Sequence, residues 1–137
     1  MEQQFSRDIA SLERAFGFID EFAEREGLDD SVKNSVYLAV DELFTNMVKY
    51  QPANANDITI ALEREAELLT IRLIDHDVEP FDITERKDPD LPASLDERKP
   101  GGLGIYLTKK AVDTITYDYR DRTSIITLTK RLRRNDV

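Results

Sequence analysis

The hydrophobic positions of this chain switch between two periods, and the switches mark its elements. Residues 2–8 suggest a brief strand. From Ser11 to Glu26 apolar residues recur at helical spacing (Leu12, Phe16, Ile19 and Phe22–Ala23), with Ser11 as the expected N-cap and Gly27 as the terminator. Asp29-Asp30-Ser31 offers a second N-cap, and residues 32–50 read as a long helix. At about 100° per residue, Val36, Val40, Leu43 and Met47 fall within about 60° of one another and form its core stripe. After a Pro- and Asn-containing loop the period drops to two. Ile58, Ile60 and Leu62 share one strand face, Leu69, Ile71 and Leu73 another, and the charged segment 63–67 reads as the turn between them.

Periodicity then lapses. Residues 77–100 hold four of the five prolines, no glycine, and eight acidic against four basic residues. A loop of that length inside a compact domain is commonly functional, and it reads as a lid. It leads into Gly101-Gly102-Leu103-Gly104, which concentrates three of the five glycines, and helical spacing resumes over residues 103–113. Ile115, Tyr117 and Tyr119 alternate, Asp121-Arg122 makes a turn, and Ile126, Leu128 and Leu132 alternate in a last strand. The order, a short strand, two helices, a hairpin, a lid, a helix and a hairpin, predicts an α+β protein. Its architecture is a two-layer α/β sandwich with the helices on one face of the sheet.

Composition narrows the setting. A chain of 137 residues, 40% apolar and 34% charged, suits one soluble domain spanning 1–137. No run of apolar residues is long enough for a membrane span, and the N-terminus lacks the pattern of a signal peptide. The absence of cysteine excludes disulfide and thiol chemistry and is compatible with a cytoplasmic protein. A net charge of −9 argues against direct nucleic-acid binding. His76 is the only histidine, so a metal held by side chains alone is not expected.

Three places carry candidate chemistry. Glu42 and Asn46 lie one helical turn apart at the border of the core stripe, where they either flank the helix in solvent or line a pocket. Asp75 continues the parity of Leu69, Ile71 and Leu73, which places a carboxylate on the apolar face at the strand's end. The glycines before the last helix serve either as a hinge or as an anion site, since a helix N-terminus offers unpaired N–H groups.

These stretches, in order, resemble a known trio of motifs. Glu42-Leu43-Phe44-Thr45-Asn46 resembles the N-box of the ATP-binding superfamily shared by gyrase, histidine kinases and heat-shock chaperones. Asp75-His76-Asp77-Val78-Glu79-Pro80-Phe81-Asp82 is similar to its first glycine box, and Gly101-Gly102-Leu103-Gly104-Ile105-Tyr106-Leu107 to its second. Within the superfamily the chain most resembles the anti-sigma-factor serine/threonine kinases. The resemblance implies a Bergerat-type fold, with a mixed, mostly antiparallel sheet and ATP held between the long helix and the lid. It further implies that Asn46 holds Mg²⁺, that Glu42 is the general base, that Asp75 accepts the adenine amino group, and that Gly102 and Gly104 open backbone N–H groups to the phosphates. The implied activity is transfer of phosphate from ATP to a serine of a STAS-type anti-sigma-factor antagonist. The implied partners are that antagonist and a sigma factor, with homodimers common in the family. A regulatory module of the same fold with impaired catalysis is the alternative. The chain departs from the first glycine box at Asp77, where the pattern has glycine, and by one extra residue before Phe81. A side chain and a negative charge at that place are expected to weaken nucleotide binding.

Overall fold

The computed structural model describes residues 1–50, 54–80 and 102–132. Among them are five strands and three α-helices: β1 (Glu2–Phe5), α1 (Leu12–Glu26), α2 (Asp30–Tyr50), β2 (Ile58–Glu65), β3 (Leu68–His76), α3 (Gly102–Ala111), β4 (Thr114–Arg120) and β5 (Thr123–Arg131). The strands form one sheet in the order β1-β2-β3-β5-β4. All four pairings are antiparallel rather than mixed, because β5 folds back between β3 and β4. It thereby separates the two strands that run in the same direction. The expected lid lies almost wholly outside the described residues.

The strand faces follow their period. Ile58, Ile60 and Leu62 on β2, Leu69, Ile71 and Leu73 on β3, and Leu128 on β5 are fully buried beneath the helices. Intervening residues such as Thr70, Arg72 and Ile74 are only half-buried on the opposite face. Helix α2 packs between α1 and α3 and over β3. Its stripe is the expected one: Val36, Val40 and Leu43 are buried completely or nearly so, and Met47 closes the row. Burying such side chains contributes roughly 1.5–3 kcal/mol each before entropy is counted.

Local rules shift several boundaries. Ser11 does not cap α1 with its side chain. A 3-10 turn, Ile9–Ser11, precedes the helix and is capped by Asp8, whose Oδ1 accepts from the Ala10 N–H at 3.0 Å. The Ser11 hydroxyl turns instead to the Ser6 carbonyl at 2.8 Å. The buried stripe of α1 is Ala15, Phe18, Ile19, Phe22 and Ala23, with Phe16 at its edge against the ring of Tyr37. Phe18 meets Phe5 edge-on at 5.7 Å, which fastens β1 to α1. Gly27 ends α1 in the left-handed conformation, φ 65°, as its position predicts. Helix α2 begins at Asp30, with Asp29 accepting from the Val32 N–H at 2.9 Å. The first hairpin is tighter than its charge suggests, since Glu63, Arg64 and Glu65 remain in β2 and only Ala66 and Glu67 form the turn. Among the described residues, no helix is long and apolar enough to cross a membrane.

Candidate functional site

Helix α2 presents Glu42 toward the first turn of α3 and carries Asn46 one turn further on. The two are four residues apart, hence neighbours on one helix face. The Asn46 side-chain N–H₂ donates to the Glu42 carbonyl at 2.6 Å and to Glu42 Oε1 at 2.9 Å. Asn46 is 6% exposed, and among the described residues its Oδ1 accepts no hydrogen bond. A buried amide oxygen without a donor is unusual in a folded protein.

The other Glu42 oxygen reaches α3. A side chain at Gly104 would begin 2.0 Å from Glu42 Oε2 and 2.3 Å from Cδ, so the carboxylate lies against a bare backbone. Only glycine permits that approach. The carboxylate thus sits at the N-terminal turn of α3, where the helix dipole favours negative charge. Thr108, fully buried, donates to the Gly104 carbonyl at 2.9 Å and ties that turn down from below. Gly102 is the first residue of α3, and Gly101 lies outside the described residues. The structure therefore brings Glu42, Asn46 and Gly104 together, with Gly102 heading the same helix.

Asp75 ends β3 on the core face, as its parity requires, and is 2% exposed. Its partner is Arg7, from the segment following β1, whose guanidinium Nη2 donates to Asp75 Oδ1. The two side chains are each 3% exposed. Arg7 also donates through Nη1 to the Met47 carbonyl at 2.9 Å and through Nε to the Asn56 carbonyl at 3.3 Å. Burial pushes the Asp75 carboxyl above its usual value, against the opposing pull of the Arg7 hydrogen bond and charge and of His76. Among the described residues, nothing else donates to this carboxylate.

Asp77 adopts the left-handed conformation, φ 57°, that favours the glycine of the motif it interrupts. Its carboxylate is not directed into the fold. Arg122, in the β4–β5 turn, donates through Nε to Asp77 Oδ1 at 2.9 Å and through Nη1 to Glu79 at 3.1 Å, all at the surface. The two hydrogen bonds raise the Arg122 pKa further still. The same turn holds the backbone, with the Val78 N–H donating to the Arg122 carbonyl at 3.0 Å and Tyr119 Oη to the Val78 carbonyl at 2.7 Å. The Asp77 side chain is thus engaged by Arg122 at the surface.

Sequence reasoning missed Arg7 and Arg122. A single arginine after a four-residue strand carries no periodic signal, and Arg122 reads as an ordinary turn residue. Among the described residues, no group of three or more His, Asp or Glu could hold a metal on its own.

The comparisons with known proteins bear on the family and the fold. The family model of the histidine kinase-like ATPase domain matches residues 5–130. A curated relative, the serine/threonine-protein kinase BtrW of Bordetella bronchiseptica, is 26% identical over 117 residues, covering 84% of this chain and 82% of that protein. Among solved structures, the RsbU and RsbW domains of Rv1364c from Mycobacterium tuberculosis superpose with a TM-score of 0.69 at 16% identity. That match covers 96% of this chain but only 32% of the solved one. The histidine kinase AdeS of Acinetobacter baumannii superposes with a TM-score of 0.51 at 17% identity, over 96% of this chain and 68% of that one. At those identities the structures speak for the fold alone.

Proposed function

The chain belongs to the histidine kinase-like ATPase domain family, and from that premise we propose that it is an ATP-dependent protein serine/threonine kinase acting as an anti-sigma factor. The substrate in this reading is a serine of a STAS-type anti-sigma-factor antagonist, and the restrained partner is a sigma factor. The observation that carries the reading is the Glu42 carboxylate, fixed by Asn46 and lying against the bare backbone of Gly104 at the start of α3. A partner-binding module without catalysis has no need of a carboxylate held at a helix N-terminus. The curated relative's being a serine/threonine kinase supports the same reading.

The roles follow from the chemistry of each group. ATP with Mg²⁺, when bound, supplies the phosphoryl group and the charge neutralisation that its transfer requires. Asn46 Oδ1, a hard oxygen without another partner among the described residues, would hold the cation. Gly102 and Gly104 keep side chains away from the first turn of α3, whose N–H groups would be open to phosphate oxygens. Asp75 would accept a hydrogen bond from the adenine amino group. Glu42 would take the proton of the incoming serine hydroxyl, which makes it the general base.

The test is calorimetry with ATP in the presence and absence of Mg²⁺, followed by a phosphoryl-transfer assay on a STAS-type protein bearing a serine. Asn46→Ala is expected to abolish the metal-dependent part of binding. Glu42→Gln is expected to keep binding while transfer falls by roughly 10²–10⁴-fold, the range that general base catalysis supplies. Wild-type protein that binds Mg²⁺-ATP yet transfers nothing would favour the regulatory-module alternative. Wild-type protein that binds no nucleotide would end the proposal.

A further inference from the structure

The ion pair between Arg7 and Asp75 is as deeply buried as the hydrophobic core, and stability alone explains it poorly. Taking both charges out of water costs several kcal/mol each, and an apolar pair of similar volume is often as stable. The pair is also incomplete. Each of the three Arg7 side-chain nitrogens has an acceptor: Asp75, the Met47 carbonyl and the Asn56 carbonyl. Asp75 has two oxygens, and only Oδ1 has a donor among the described residues. An anionic oxygen left in that state at 2% exposure is costly unless a further donor arrives.

Arg7 is also placed to hold the carboxylate still. Met47 is one of the last four residues of α2, whose carbonyls have no partner within the helix, and a cation there is favoured by the helix dipole. Asn56 belongs to the loop entering β2, and Asp75 pairs with Ile58 at the start of β2. One guanidinium thus locks the end of β3 to the last turns of α2, directly after Asn46, and to the adjoining loop. A planar fork with three fixed acceptors has one orientation, which a lysine ammonium cannot reproduce.

We propose that Arg7 is a positioning residue for base recognition: by occupying Oδ1 it presents the second oxygen of Asp75 to the exocyclic amino group of a 6-aminopurine. The inference rests on the nucleotide reading above and adds to it the residue that sets selectivity for the base. A carboxylate oxygen accepts from the amino group of adenine and repels the carbonyl oxygen that replaces it in hypoxanthine. A site built on a hydrogen bond rejects an analogue lacking the donor far more strongly than a merely apolar pocket does.

The experiment compares ATP with inosine triphosphate, both with Mg²⁺, by calorimetry on wild type, Arg7→Met and Arg7→Lys, with melting curves confirming that each is folded. Wild type is expected to prefer ATP. In Arg7→Met the ratio of the two affinities is expected to fall about tenfold, through weaker ATP binding, while inosine triphosphate binds within about threefold of wild type. Arg7→Lys keeps the charge without the fork and is expected to fall between the two. Should Arg7→Met not fold, Arg7→Lys decides alone, and a ratio equal to wild type's overturns the proposal. An unchanged ratio in a folded Arg7→Met shows Arg7 to be structural only, and tighter ATP binding shows that it blocks the site; either overturns the proposal. Equal binding of both nucleotides by wild type removes Asp75 from base recognition and overturns it too. Binding of neither nucleotide by wild type defeats the nucleotide reading itself, a result distinct from all of these.

Discussion

The closest approach in the site is that of the Glu42 carboxylate to Gly104, and it yields a test that separates stability from function. Gly104→Ala places a methyl group 2.0 Å from Glu42 Oε2, but the atom it meets is the far end of a flexible side chain. The carboxylate moves and the backbone stays. Alanine inside a helix is favoured over glycine by about 1 kcal/mol, which offsets the cost of that shift. The melting temperature is therefore expected to change little, while phosphoryl transfer falls by at least the factor attributed to Glu42. A large drop in stability with transfer retained would show that Gly104 is needed for packing. Asp75 gives a second test. Its carboxyl is held above its usual value by burial, and an amino donor from a bound base favours the charged form. By linkage, its titration midpoint, followed by carbon NMR, is expected to lie above 3.8 in the free protein and to fall on ATP binding, so ATP affinity weakens as pH drops through that midpoint. A midpoint that ATP does not move would disconnect Asp75 from the nucleotide. The placement of Glu42, Asn46 and Asp75 on the border or face of the core was legible in the helix and strand periods, while the roles proposed for them came from the motifs they resemble. The placement of Arg7 was not legible, since its partners lie 40, 49 and 68 positions away and no local pattern encodes them.

At the scale of elements, the hydrophobic periods located the three α-helices and both hairpins of the described residues, and the errors fall where charge and burial part company. Glu63 and Glu65 stay in β2 because their side chains face solvent on a strand that still has partners in β3. Ser11 loses its capping role because a 3-10 turn moves the start of the helical segment back to Asp8. The β4–β5 turn shows how one element substitutes for a missing glycine in another. Asp121 and Arg122 both have positive φ, 49° and 60°, and Arg122 fastens the left-handed Asp77 through its side chain. Asp77→Gly removes an exposed ion pair worth about 0–1 kcal/mol and relieves a non-glycine left-handed residue at roughly 1–2 kcal/mol. Stability is expected to hold or rise by up to about 2 kcal/mol in denaturant titration. Mg²⁺-ATP affinity is expected to stay within about twofold, because the carboxylate already points to Arg122. Affinity that tightens tenfold would mean that Asp77 turns toward the nucleotide after all.

At the scale of the whole molecule, the site draws on segments that meet only when the chain is folded. Arg7 follows β1, Glu42 and Asn46 lie on α2, Asp75 ends β3 and Gly104 opens α3. A ligand that touches several of them binds the native state and not the unfolded chain, so its binding energy becomes folding energy. At a concentration about one hundred times Kd that stabilisation is about 2.7 kcal/mol. For a domain of this size it corresponds to a rise in melting temperature on the order of 10 °C. Charge sets the sign of the metal effect. The chain carries a net −9, so metal-free ATP adds an anion to an already anionic protein, and Mg²⁺ removes much of that repulsion. The rise is therefore expected with Mg²⁺-ATP, to shrink strongly when EDTA is added, and to lose its metal-dependent part in Asn46→Ala. Differential scanning calorimetry across nucleotide concentrations checks all three. If calorimetric titration reports tight Mg²⁺-ATP binding while the melting temperature stays fixed, the nucleotide does not bridge these elements, and the site must be sought within a single one of them.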